Sequence, residues 1–144
     1  MPSSQPRKAP PAPPGLTVEA FRRKWVATMS EAALQKQVIE GIRKLHGDKA
    51  LIYHVHDSRS DDWASDSGFP DLVVVMPHRT WQESSGALRG RTLKRPRVIY
   101  IELKAERGKA TPAQQAWHDA LKAAGQEAHI LRPSDFPKAW ELLE

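Results

Sequence analysis

An α/β fold, a mixed β-sheet flanked by α-helices, is predicted by the order of apolar patterns along these 144 residues. Three observations lead there. Helical and strand periodicities follow one another as α-α-β-β-β-α-β-α, an order that layers helices against a sheet. Residues 71–76 form a nearly unbroken Val/Leu run, as expected for an interior strand. Hydrophobic residues make up 40% and charged residues 27%, so a chain of this length builds one modest core rather than two.

Each element has its own grounds. The first 15 residues hold six of the twelve prolines. Proline removes backbone donors and favours extended chain, which predicts a disordered tail carrying Arg7 and Lys8 and a single domain over 16–144. A short amphipathic helix is expected over 17–29, with Phe21 and Trp25 on one face. A second helix starts after Ser30, a good N-cap, and ends at Gly47. Leu34, Val38, Ile42 and Leu45 are its apolar stripe. Strands are expected over 51–56, 71–76 and 97–104. A helix over 112–124 opens on Pro112 and closes at Gly125. A last strand covers 127–131. Ser134 is read as the cap of a final short helix bearing Phe136, Trp140 and Leu143 at helical spacing.

Composition excludes several classes. The absence of cysteine rules out disulfides and thiolate metal sites, and it fits a reducing cytoplasm. The longest apolar run, Leu72–Met76, is strand-sized, and the N-terminus has no apolar signal region. A cytoplasmic protein without membrane partners is the expectation. The formal charge of +5 and a sequence pI of about 9.7 favour polyanions, an argument that gains weight only when joined to a site.

Two loops are unusual. Residues 57–70 hold Asp57, Asp61, Asp62 and Asp66 without the spacing of a calcium loop. Residues 78–96 hold Arg79, Arg89, Arg91, Lys94 and Arg95 against one acid, Glu83. This insert reads as a flexible basic flap that could lie along a phosphate backbone, or equally as a solvated hairpin.

The chemistry gathers elsewhere. In the strand ending Ile101-Glu102-Leu103-Lys104, side chains alternate, so Glu102 and Lys104 share a face with Val98 and Tyr100. Alone, that pattern is an ion pair at a strand end. Asp71 opens the Val/Leu strand just after Pro70, where a charge is costly unless paired or ligating a metal. If the two strands are antiparallel neighbours, Asp71 and Glu102-x-Lys104 lie side by side. Glu31 begins the second helix in line with Val38, either as a helix-dipole partner or as part of a site. Phosphodiester hydrolysis uses this set of residues. Two carboxylates suit Mg²⁺, which polarises phosphate and lowers the pKa of bound water, and a lysine orients that water and offsets charge on phosphorus. Glu31 could hold a second metal or a water.

These residues resemble the PD-(D/E)xK nuclease superfamily, and within it the VRR-NUC family. The pattern is Gly68-Phe69-Pro70-Asp71, then Ile101-Glu102-Leu103-Lys104, then Thr111-Pro112-Ala113-Gln114-Gln115-Ala116-Trp117, preceded by the Ser30-Glu31 helix. The similarity runs from about residue 31 to 133. The resemblance implies a restriction-endonuclease-like core and dependence on Mg²⁺ or Mn²⁺. It implies Asp71, Glu102 and the Leu103 backbone carbonyl as metal ligands, Lys104 at the attacking water, and Glu31 as part of the site. Gln114 would reach the site from its helix, with Trp117 packed beneath. Stand-alone members look like nucleases selective for DNA structure, some similar to dimeric Holliday-junction resolvases. Branched DNA and a homodimer are therefore the expected partners.

Other candidates carry less. His54 and His56 share a strand face, but no further ligands support zinc, though His56 could line the cleft. His118 and His129 read as ordinary helix and strand residues. Trp63 is a stacking residue or a loop anchor. Arg107 and Lys109 could touch phosphate and are otherwise solvated charges. Two rival readings stand beside the branched-DNA endonuclease: a DNase indifferent to structure, and a non-catalytic module binding through the basic flap.

Overall fold

The structure, a computed structural model, describes residues 17–55, 68–77, 79–81 and 91–144, with side chains undescribed in the two short strands 79–81 and 91–94. The proline-rich tail, His56, the acids and Trp63 of the first loop, Glu83 and Arg89 lie outside these residues.

Helix α1 (Val18–Thr28) starts where the Thr17 hydroxyl accepts the Ala20 N–H. It buries no residue fully. Helix α2 (Glu31–His46) is the main support of the fold. Ser30 caps it by accepting the Ala33 N–H, and Leu34, Val38 and Ile42 are buried at the expected spacing. Leu45, the fourth stripe residue, is only half-buried, while His46 is buried and contacts the Leu143 carbonyl at 2.7 Å. That contact ties the end of α2 to the last helix of the chain.

Strands β1 (Leu51–His54), β2 (Leu72–Met76), β5 (Arg97–Leu103) and β6 (Glu127–Leu131) form one mixed sheet in the order β1-β2-β5-β6. The first two pairings are antiparallel and the third is parallel. A parallel pair needs a crossover, and α3 (Pro112–Ala123) supplies it. Strands β3 (Arg79–Trp81) and β4 (Arg91–Lys94) pair as a separate two-stranded ribbon. The expected basic flap is thus a hairpin at its base, with Arg79, Arg91 and Lys94 in its strands.

One face of the sheet presents Leu72, Val74, Met76, Ile99, Ile101 and Leu103, all at most 2% exposed, to the stripe of α2. A period of two makes this face continuous across β2 and β5 because their register sets Leu72 against Ile101 and Val74 against Ile99. The Val/Leu run of β2 is buried on this face only. Val73 is half-buried and Val75 exposed, because α3 covers the other end of the opposite face, packing on β6 and reaching Tyr100 of β5 through Phe69.

The C-terminus departs from expectation. Ser134 lies in a 3-10 turn (Pro133–Asp135), and the helix, α4 (Ala139–Leu143), begins later. Phe136 precedes a cis peptide to Pro137 and stacks on Trp140 at 4.8 Å. The 3-10 turn is capped at Arg132, whose N–H is accepted by Asp135, and α4 begins after Lys138, so Ser134 caps neither element. Among the described residues no helix is long and apolar enough to cross a membrane.

Candidate active site

Asp71, Glu102, Lys104 and Glu31 meet at one end of the sheet. The antiparallel β2–β5 register brings the start of β2 to the end of β5, so Asp71 and Glu102 are neighbours despite their distance in sequence. The ladder opens there: the Leu103 N–H donates to Asp71 Oδ2 at 2.8 Å instead of to a backbone carbonyl. This fixes the Asp71 carboxylate and leaves its other oxygen without a hydrogen bond among the described residues.

Glu102 is 4% exposed. Lys104 Nζ stands 3.0 Å from Glu102 Oε1 and pairs with it. Apart from that ammonium, neither carboxylate oxygen has a hydrogen-bond partner among the described residues. Such a group is expensive unless something else is bound there. Lys104 Nζ also lies 3.7 Å from Glu31 Oε1, whose oxygen accepts the Ala105 N–H at 3.3 Å. Glu31 thus reaches the site from the first turn of α2 and remains half-exposed, open to solvent and ligands. Its place in the site, rather than at the helix dipole alone, is decided by the turn that follows β5.

The electrostatics follow from this crowding. Burial pushes the Glu102 carboxyl up to about 7, aided by the nearby Asp71 charge and held back by Lys104. Burial also raises Asp71, while the Leu103 amide and Lys104 oppose the rise. Lys104 is drawn down by burial, but Glu102, Glu31 and Asp71 outweigh that and leave its ammonium above the ordinary lysine value. His54 adds a positive influence on Asp71 from the adjacent strand β1.

The carboxylates fit a divalent cation of the Mg²⁺ type. The test is the buried Glu102 carboxylate, which meets only the Lys104 ammonium among the described residues, beside the open oxygen of Asp71. Among the described residues no three His, Cys, Asp or Glu side chains converge on one ion.

Other expected residues take different places. Gln114 Oε1 accepts the Thr111 N–H at 2.8 Å and its own N–H donates to the Thr111 hydroxyl, a complete capping box. Its side-chain oxygen is thus engaged at the start of its own helix, whereas the expectation had it reach into the site. Trp117 packs edge-on against Phe69 at 4.9 Å, and Phe69 against Tyr100 at 6.2 Å. This aromatic stack holds the Gly68-Phe69-Pro70 approach to Asp71. Gly68 has a φ of 97°, and a Cβ there would lie 2.5 Å from the backbone of Ala113 and Gln114. Only glycine permits that contact with the start of α3. Arg95, Arg107 and Lys109 are exposed and form no ion pair among the described residues.

Four contributors were invisible in the sequence pattern. The Leu103 and Ala105 amides position Asp71 and Glu31. Arg132 donates to the Gly108 carbonyl at 2.9 Å, and Glu106 accepts the Ser134 N–H at 3.0 Å. Together these tie the turn after Lys104 to the end of β6. Backbone donors carry no residue-type signal, and Arg132 reads as one more basic residue.

The sequence model of one family, described as the VRR-NUC domain, matches residues 18–135. A solved structure titled "VRR_NUC domain" is 18% identical, over 78% of this chain and 97% of that one, with a TM-score of 0.48. No curated protein matches the chain.

Proposed function

The chain belongs to the VRR-NUC domain family, a nuclease-type domain that processes DNA, and on that footing we propose that it is a metal-dependent endonuclease for branched or otherwise structured DNA. Glu102 carries the reading. A buried carboxylate whose one partner among the described residues is a buried ammonium is costly as structure and useful as a cation ligand.

Asp71 and Glu102 would hold Mg²⁺ or Mn²⁺, with the Leu103 carbonyl, and Glu31 stands where it could hold a second ion or a water. When bound, the cation polarises the phosphate and lowers the pKa of a coordinated water. The chain's own part is positioning. The Leu103 amide fixes Asp71, and Glu102 and Glu31 fix the Lys104 ammonium from two sides. The acids keep that ammonium charged at neutral pH, so Lys104 orients the attacking water and offsets charge gathering on phosphorus. Water adds to phosphorus, a phosphorus–oxygen bond breaks, and the strand is left with a phosphate monoester and a hydroxyl. A two-fold homodimer would supply the two active sites that paired cuts in a four-way junction require.

The test is cleavage of labelled four-way junction, splayed-arm, linear duplex and single-stranded DNA, with and without Mg²⁺, by wild type and Lys104→Ala. Metal-dependent paired cuts in the junction, absent in the variant, support a dimeric resolvase. Equal cutting of all substrates keeps the site and gives a general DNase. No cutting with any metal leaves a non-catalytic DNA-binding module.

A further inference from the structure

The sheet face that carries Asp71 and Glu102 is covered unequally. Over β5 and β6 it lies under α3, with Tyr100, Phe69 and Trp117 stacked edge to face. Over β1 and β2 it is open. Leu51, Tyr53 and Val75 are 64%, 66% and 40% exposed. They share a side because β1 and β2 pair Leu51 with Val75 and Tyr53 with Val73. Asp71 lies two residues before Val73 on β2, so alternation puts it on this side too. Tyr53 is the diagonal neighbour of Asp71, with roughly 7–8 Å expected between such Cα atoms. Its ring and hydroxyl have no stacking or hydrogen-bond partner among the described residues.

We infer that Tyr53 is a stacking platform for an unpaired nucleobase beside the scissile phosphate, so that the preferred DNA has unpaired nucleotides next to the cut. The inference rests on the nuclease reading above. A nucleotide next to a phosphate held at Asp71 and Glu102 is within reach of Tyr53, since Tyr53 is the cross-strand diagonal neighbour of Asp71. In a duplex each base is already stacked and paired and cannot lie on the ring. An unpaired base can, and an aromatic face accepts any base. Val73 and Val75 extend an apolar floor under it, and Arg43 and Asp48 line the same recess, the arginine offering a cation for the backbone. A protein partner seated on this floor would instead stand across the open side of the two acids.

The test is metal-free binding in EDTA, read by fluorescence anisotropy, of a splayed-arm DNA and a fully paired duplex of equal length. Wild type, Tyr53→Phe and Tyr53→Ala are compared, with 2-aminopurine placed at the unpaired nucleotide nearest the fork. Stacking on one aromatic ring predicts that Tyr53→Ala lowers the splayed-to-duplex preference about tenfold and loses the 2-aminopurine quenching. Tyr53→Phe keeps both. An unchanged preference in Tyr53→Ala, or equal loss in Tyr53→Phe, overturns the proposal. So does a dimer in sedimentation velocity that Tyr53→Ala converts to monomer, which makes the floor a protein interface. Because no cutting is needed, a wild type that shows this preference and never cleaves would sink the nuclease reading alone.

Discussion

Replacing Glu102 by Gln should raise the stability of the metal-free protein at alkaline pH and remove its response to metal. In the folded chain the Glu102 carboxyl stands at about 7, against 4.5 when unperturbed. A raised folded value means that the folded state holds the proton more tightly than the unfolded one. That contribution is complete below the unfolded value and is lost as pH rises through about 7. At about 1.4 kcal/mol per pH unit, the span from 4.5 to about 7 gives an upper figure of about 3 kcal/mol. Glutamine has the same shape and no charge to desolvate. In EDTA, urea unfolding should therefore show wild type and Glu102→Gln nearly equal at about pH 4, with the variant more stable at about pH 8.5 by up to about 3 kcal/mol. Saturating Mg²⁺ or Mn²⁺ should stabilise wild type at pH 8.5 and leave the variant unmoved, which reverses the order. A Gln variant no more stable than wild type at pH 8.5 in EDTA would refute the buried-charge argument. Equal stabilisation of both proteins by metal would refute Glu102 as a ligand.

Three further outcomes follow from the same geometry. Lys104→Ala should abolish cleavage, and in EDTA it should cost more stability at pH 8.5 than at pH 5, because Glu102 loses the ammonium at 3.0 Å; denaturant titrations at both pH values check this. Arg132→Gln should lower kcat about tenfold with little change in metal-free DNA affinity, since it releases the Gly108 carbonyl and loosens the turn behind Lys104; a kcat and KM comparison decides it. Gly68→Ala should destabilise by about 2 kcal/mol or more, because a positive φ and a Cβ 2.5 Å from the backbone of α3 act together; a urea midpoint equal to wild type would contradict it.

The site was legible where its residues must be of one type and must sit at strand and helix ends. An acid opening a Val/Leu strand, Glu-x-Lys closing another and a glutamate leading a helix named Asp71, Glu102, Lys104 and Glu31, and the structure gathers all four. Gln114 was placed by resemblance, and its geometry went to the cap of α3, because the same Thr-x-x-Gln spacing is also a capping box. The start of the last helix was misplaced for a similar reason. Ser134 has the residue type of a cap, but it lies inside a 3-10 turn that Arg132 and Asp135 cap, and the α-helix starts only after Lys138.

Local pattern alone determined the periods of α2, β2, β5, α3 and β6, since each depends on which side chains recur along a few turns or a few residues of pleat. It also determined the chemistry on offer: two carboxylates and an amine, without a thiol. Tertiary structure decided the rest. It chose β2 and β5 as antiparallel neighbours, which turned Asp71 and Glu102 into one site. It put α3 over only half of the sheet, which left Tyr53 and Val75 open although the Val run of β2 reads as buried on both faces. It supplied the Leu103 and Ala105 amides that orient the acids. Pairing partner, coverage and backbone donors depend on chain segments distant in sequence, and a local pattern carries no record of them.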